Sequence, residues 1–191
     1  MRRLALLALA LAPAPAAAHD AFGDLGPFYA NLLHPLADPG QGLLISAVAV
    51  LLARQPLATV RPAYAALALA GAGAIALGPL VAVDPPGLRM TGLIAAALGV
   101  LALLGISLRP LPVVVVAAAI AVVAGLAIDL PPEPRAAGLA ALGAFLGIPL
   151  AALLVWGFLD EAIRRLGPVA GAVAGSWIAA IGIMAAALPT S

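Results

Sequence analysis

The chain has 191 residues, of which 65% are apolar and only 9% are charged, whereas a soluble domain carries about 25% charged residues. So few charges cannot cover the apolar surface of a soluble enzyme, and the apolar content excludes a disordered chain. The net charge of +1 excludes an electrostatic surface for nucleic acid. Because the chain has no cysteine, disulfide bonds, thiolate metal sites and thiol catalysis are excluded too. The composition predicts an all-α, polytopic membrane helix bundle.

The N-terminal residues have the features of a secretory signal peptide. Two arginines follow the first methionine, residues 4–12 form a short apolar run, and alanines occupy positions 16–18. This order predicts cleavage after Ala18, so that residues 1–18 are removed and the mature chain begins at His19 outside the cytoplasm. An uncleaved first helix is the alternative, although this run is too short to cross about 30 Å of hydrocarbon.

Six apolar stretches, separated by charges and prolines, follow the predicted signal peptide. They cover residues 40–53, 62–83, 88–107, 110–128, 136–158 and 168–188. Because lipid offers no partner to a backbone N–H or C=O group, each stretch is predicted to be a transmembrane helix. We therefore expect residues 19–39 to form an extracytoplasmic segment and residues 40–191 to form the transmembrane domain.

The arginines favour one orientation for six spans. With the mature N-terminus outside, the inner loops hold five arginines and the outer segments hold two, in agreement with the positive-inside rule. The inner five are Arg54, Arg61, Arg109, Arg164 and Arg165, and the outer two are Arg89 and Arg135. With the signal peptide, this distribution predicts a multi-pass protein of the bacterial inner membrane. If one of these stretches does not cross the membrane, the orientation of every later span is reversed.

The first apolar stretch is short and is preceded by two prolines. Its 14 residues would extend about 21 Å as a helix, and Pro35 and Pro39 prevent a straight helix from continuing backwards. We expect a broken helix in which residues 28–33 enter the membrane, the chain bends between His34 and Gly40, and the helix then resumes. Broken helices of this kind mark many transport sites. A loop at the membrane interface is the alternative.

Glycines spaced four residues apart occupy the last two predicted spans. They are Gly143 and Gly147 in the fifth, and Gly167, Gly171 and Gly175 at the start of the sixth. Small residues at this spacing let two helix backbones approach closely. We therefore predict that both spans pack tightly, either within the bundle or in a homo-oligomer or complex with a membrane partner.

Two histidines and a nearby carboxylate are the candidate metal ligands. His34 lies with Asp38 and Gln41 around the predicted break, and His19 would offer its imidazole and its free amine after cleavage. Imidazole suits nickel, cobalt, copper and zinc, and a carboxylate near the membrane is a functional candidate. Structural roles are the alternative, in which His34 hydrogen-bonds the broken backbone and Asp38 caps the next helix. The spans contain no catalytic combination of residues and no phosphate-binding loop.

The stretch from His34 to Gln41, together with the signal peptide and six spans, resembles the HupE/UreJ family of bacterial membrane proteins. The family signature is His-Pro, two residues, Gly, one residue and Asp-His, followed by an apolar helix. Here His34 and Pro35 match it. The positions of its Gly, its Asp and its second His hold Asp38, Gly40 and Gln41. Residues 26–30 and 175–178 are also similar to the family.

The resemblance implies a permease that imports a divalent metal, nickel or cobalt, with no resident cofactor and no enzymatic activity. The entry site that it implies comprises His34, Asp38 and Gln41, with His19 assisting capture. The alternative function is a non-transporting scaffold that packs against a membrane partner through the glycine-rich faces of the last two spans. A permease for a neutral or gaseous solute is a third hypothesis, because the spans contain so few charges.

Overall fold

The computed structural model describes residues 25–81 and 85–188, and within these ranges the chain forms seven α-helices and no strand. The helices are α1 (Gly26–Ala37), α2 (Pro39–Ala53), α3 (Leu57–Leu77), α4 (Leu88–Leu104), α5 (Pro110–Leu126), α6 (Pro134–Leu166) and α7 (Pro168–Ala187), with a 3₁₀ turn at Gly78–Leu80. The predicted all-α membrane helix bundle is confirmed. The predicted signal peptide, residues 1–18, and His19 lie outside the described residues.

Prolines and glycines determine where several helices begin and end. Pro110, Pro134 and Pro168 each occupy the first position of a helix, where the missing N–H costs no intrahelical hydrogen bond. At the end of α4 the chain turns at Gly105, whose φ of 64° lies in the left-handed region that favours glycine. The valines at 113–116, a residue type that favours strands in water, lie within α5, where a helix satisfies the backbone hydrogen bonds within one segment.

Helix α2 lies at the centre of the bundle. It contacts α1, α4, α5, α6 and α7, and Ile45, Ala47 and Val48 have no exposed surface at all. A helix that is apolar around its whole circumference belongs in the core of a protein. This position explains the short first span, because α2 is surrounded mainly by other helices rather than by lipid.

The other six helices form three closely packed pairs around α2. The pairs are α1 with α6, α3 with α5, and α4 with α7. In the α4–α7 pair, Gly92 lies against Gly182 and Gly99 lies against Gly175. A Cβ atom built on Gly99 would be 2.5 Å from the backbone nitrogen of Ala179. Such close approach at small residues is typical of membrane helices, which gain little from the hydrophobic effect when they associate.

Four of the five glycines predicted to pack helices contact other parts of this chain. Gly143 and Gly147 lie against the backbone of α1, and Gly175 lies against α4. Gly171 leaves room for an arginine side chain. At Gly167 no described residue beyond its chain neighbours lies within 4 Å of the Cβ position, and its φ of 82° makes the turn between α6 and α7. A packing role for Gly167 stays a prediction.

Three helical segments of the described ranges are long and apolar enough to cross a membrane, namely Leu57–Leu80, Pro134–Leu166 and Pro168–Ala187. The bent pair of α1 and α2 would be a fourth crossing. Helices α4 and α5 have 17 residues each, about 25 Å, against about 30 Å of hydrocarbon. Exposed apolar side chains such as Leu69 and Trp177 indicate contact with lipid. The six-span count and its orientation stay predictions.

The helices run between two ends of the bundle, which we name after the residues that flank α2. The Asp38 end contains the break between α1 and α2, the start of α4 and the end of α5. The Arg54 end contains the connections from α2 to α3, from α4 to α5 and from α6 to α7. Of the candidate ligands, His34, Asp38 and Gln41 lie at the Asp38 end, and side-chain hydrogen bonds join the helices at the other end.

Candidate functional site

The break in the first span is confined to one residue. Helix α1 ends at Ala37, α2 begins at Pro39, and the two axes differ in direction by 65°. Asp38 between them has extended backbone angles, φ −75° and ψ 120°, because a residue before proline avoids the helical region. The expected bend from His34 to Gly40 was therefore too wide. The residues on both sides of Asp38 are helical, and whether the segment lies at the membrane interface stays a prediction.

Helix α1 continues through Pro35, which the sequence analysis placed at the start of the bend. A proline inside a helix removes the hydrogen bond to the carbonyl four residues earlier, here that of Asn31. That carbonyl oxygen lies 3.1 Å from the Cβ position of Gly147 on α6, and the carbonyl of Leu32 lies 2.5 Å from it. Packing against a glycine surface, with weak Cα–H contacts to the carbonyls, supports the helix where its own ladder is incomplete.

Asp38 caps α2. Its Oδ1 accepts a hydrogen bond of 2.7 Å from the backbone N–H of Gln41, the arrangement in which a side-chain oxygen replaces the missing helical acceptor. Its second carboxylate oxygen accepts no hydrogen bond from the described residues. The imidazole of His34, one helical turn earlier, likewise makes no hydrogen bond within the described ranges. One carboxylate oxygen of Asp38 therefore caps α2, and the other is available to a ligand.

A cavity of about 370 Å³ opens at this break. Its polar lining comes from His34, Asp38, Gln41 and Thr91. The remaining lining residues are Pro39, Gly40, Leu44, Pro85, Pro86, Leu88, Val123 and Ala127. Three of the four predicted ligands therefore share one cavity, and the fourth, His19, lies outside the described residues.

Gln41 is the most unusual group in this cavity. Its side chain is only 5% exposed, and its Oε1 atom is buried without a hydrogen-bond partner in the described part of the chain. A buried polar atom left without a partner costs about 1–3 kcal/mol. Such a cost is offset when a ligand or water enters the cavity and donates to the atom.

Thr91 also lines the cavity, and it was not recognised as a site residue from the sequence. Its side chain is 3% exposed, and its Oγ1 donates a hydrogen bond of 3.3 Å to the carbonyl of Pro86. Its methyl carbon lies 3.8 Å from the Cβ position of Gly40 on α2. The sequence does show a hydroxyl in the first turn of an otherwise apolar span. Nothing in the sequence, however, indicated that Thr91 lies near Gln41, which is 50 positions earlier.

The donor atoms around the cavity suit a weakly held cation. The described residues contain no group of three or more His, Cys, Asp and Glu side chains placed to hold a metal ion. His34 and Asp38 therefore need amide or hydroxyl oxygen, or water, to complete a coordination shell. Two helices begin at the cavity and two end there. Their opposite macrodipoles partly cancel, so the side chains determine whether the cavity favours a cation or an anion.

The Arg54 end is closed by a second pair of residues that the sequence analysis missed. Arg54 donates hydrogen bonds to the carbonyls of Ala102 (3.1 Å) and Pro168 (3.0 Å), which joins α2 to α4 and α7. The side chain of Gln55 bonds the carbonyl of Ile106 (3.1 Å) and the N–H of Leu108 (2.9 Å). These bonds hold the ends of three helices together at the Arg54 end, whereas the cavity lies at the Asp38 end.

Comparison of the chain with protein-family models, with curated proteins and with solved structures finds no match. The resemblance to the HupE/UreJ family therefore rests on the sequence features named above, and it stays a prediction.

Proposed function

We propose that this chain is a membrane permease for a divalent metal cation, with nickel and cobalt as the substrates that the HupE/UreJ resemblance suggests. The observation that carries the proposal is that His34, Asp38 and Gln41 line one cavity at the break in the first span. A helix broken at membrane depth, with free polar groups directed to a cavity, is the arrangement by which many transporters bind a solute.

The chemistry of the lining supports a cation as substrate. Asp38 supplies negative charge, His34 supplies an imidazole that suits first-row metals such as nickel, and Gln41 supplies an amide oxygen. A site with so few strong ligands binds weakly, and weak binding favours release, which a permease requires. The partial cap on Asp38 also keeps its carboxylate at the cavity rather than turned toward solvent.

The direction of transport follows from the charge distribution. The positive-inside pattern puts the Asp38 end outside and the Arg54 end in the cytoplasm. In that orientation the cavity faces the source of the metal, while the bonds of Arg54 and Gln55 close the cytoplasmic end. We infer import into the cytoplasm of a bacterium across its inner membrane.

The scaffold hypothesis receives less support. It requires the glycine-rich faces of α6 and α7 to contact a partner, but Gly143, Gly147 and Gly175 are buried against helices of this chain. A partner would have to bind elsewhere, on the outward-facing apolar surface.

Radiolabelled nickel and cobalt uptake tests the proposal, in cells that lack their own nickel permease. We expect uptake by the intact protein, and strongly reduced uptake by His34→Ala and by Asp38→Asn. Asp38→Asn keeps an oxygen that caps α2 but removes the negative charge. A loss of uptake by this variant at normal expression would therefore show that transport requires the charge and not only the cap. Asn31→Ala serves as the matched control on the same helix, since its side chain does not line the cavity.

Two outcomes would contradict the proposal. An intact, membrane-inserted protein that takes up neither metal would show that the residues around the break do not support metal transport. Equal uptake by His34→Ala, Asp38→Asn and Asn31→Ala would show that metal crosses by a route that avoids the cavity.

A further inference from the structure

Two buried polar side chains from different helices line the cavity. The described residues contain four buried polar side chains: Gln41, Gln55, Thr59 and Thr91. Gln55 and Thr59 lie at the Arg54 end, where Gln55 is fully engaged in hydrogen bonds. Gln41 and Thr91, from α2 and α4, both line the cavity at the other end.

Both side chains present hydrogen-bond acceptors. The Thr91 hydroxyl proton is directed to the carbonyl of Pro86, so the lone pairs of its oxygen are what remains for a ligand. The Oε1 atom of Gln41 accepts no hydrogen bond from the described residues. These two acceptors, together with the Asp38 carboxylate, favour a species that is positively charged and carries hydrogen-bond donors on its surface.

The size of the cavity indicates which form of a cation fits. An octahedral shell of six waters, at roughly 30 Å³ of liquid volume each, occupies about 180 Å³. The cavity measures about 370 Å³, so that it has room for a divalent cation with its entire first shell. A bare ion would leave most of this space to other water.

We propose that the cavity takes its cation with the first shell of water in place, and that Gln41 and Thr91 accept hydrogen bonds from this shell. The two residues, one on α2 and one on α4, then determine specificity by recognising the hydrated ion. This inference rests on the proposed function and adds to it the form of the substrate and a residue, Thr91, outside the implied metal-entry motif.

Cobalt(III) hexammine is the probe that tests this inference, because its six ammine ligands do not exchange and resemble a shell of water donors. The full chain is purified in detergent, and binding of Co²⁺ and of the hexammine complex is measured by calorimetry, beside uptake in cells. We expect the hexammine complex to bind and to compete with Co²⁺. Competition would fail if the protein had to replace the shell with its own ligands.

The variants at position 91 separate recognition from folding. Thr91→Val keeps the shape of the side chain and removes the hydroxyl, and we expect it to weaken hexammine binding about tenfold, the equivalent of roughly 1.4 kcal/mol for a hydrogen bond to a charged species. Thr91→Ser retains the hydroxyl and should bind as the wild type does. Thr59→Val is the matched control, a buried threonine at the other end of the bundle.

The results distinguish this inference from the function on which it rests. If the wild type takes up Co²⁺ but does not bind the hexammine complex, or if Thr91→Val binds it as Thr59→Val does, the inference is wrong and the permease proposal stands. If the wild type neither takes up nor binds Co²⁺ at normal expression, the permease proposal itself is overturned.

Discussion

Substitution of Gly99 by alanine tests the packing that holds the α4–α7 pair together. The new Cβ atom would lie 2.5 Å from the backbone nitrogen of Ala179 and 2.8 Å from the carbonyl oxygen of Gly175. Both atoms belong to the α7 backbone, which cannot turn aside as a flexible side chain would. The helices must therefore move apart, and the nearby contact between Gly92 and Gly182 loosens with them.

The size of the effect follows from the distances. Ordinary van der Waals contact begins near 3.4 Å, so the two backbones must separate by roughly 0.9 Å at this point. A gap of about 0.5–1 Å forfeits a quarter to a half of the dispersion energy of each atom pair, and overpacking of a tight interface costs about 1–3 kcal/mol. Alanine is the better helix former by about 1 kcal/mol, which offsets part of this cost.

Gly73→Ala is the control for the higher helix propensity of alanine, because both substitutions replace a helical glycine by alanine. Gly73 also lies inside a helix, but nothing is within 4 Å of its Cβ position, so that its replacement should be neutral or stabilising. We expect Gly99→Ala to be less stable than Gly73→Ala by about 1–3 kcal/mol. Unfolding in mixed detergent micelles, followed by the fluorescence of Trp156 and Trp177, measures the difference. Equal stability of the two variants would refute the close approach of α4 and α7.

Two further predictions concern the closed end and the number of crossings. Arg54→Met should lower the free energy of unfolding by about 1–3 kcal/mol, because two carbonyls lose a charged donor. Arg61→Met, at an exposed position, should leave the free energy of unfolding unchanged. Equal effects of the two substitutions in the same unfolding assay would show that the Arg54 bonds contribute nothing. Because the chain has no cysteine, an impermeant maleimide can test whether α5 crosses: Pro132→Cys should be labelled on intact spheroplasts, and Ser107→Cys only after permeabilisation. Labelling of both from outside would mean that α5 does not cross.

The candidate site was partly predictable because its residues are close in sequence. His34, Asp38 and Gln41 lie within two helical turns, and polar residues are so few in this chain that any local group of them stands out. The exact bend was not predictable. Pro35 is accommodated inside α1 because α6 offers a glycine surface at Gly147, and that support comes from residues more than 100 positions away.

The pairing of the helices was beyond the sequence for a related reason. Amphipathic periodicity identifies the buried face of a helix in water, but a span in lipid is apolar on every face, so the pattern does not show which side packs. Glycine spacing partly replaces that signal. It identified the packing surfaces at Gly143 and Gly175, whereas Gly99 and Gly182 stand in no GxxxG motif, and their role emerges only from the α4–α7 contact.

The sequence by itself determined the class of the protein, because an apolar chain with few charges can satisfy its backbone in lipid only as helices. It also placed the starts of α4, α5 and α7 at residues 88, 110 and 168, where these helices begin, whereas α3 begins at Leu57 rather than at residue 62. Only the tertiary structure decided that α2 is the central helix, that Thr91 faces the same cavity as Gln41, and that Arg54 closes the opposite end. These relations depend on how the helix surfaces, which are apolar on every side, fit together. Shape complementarity between segments distant in sequence produces no periodic pattern along the chain.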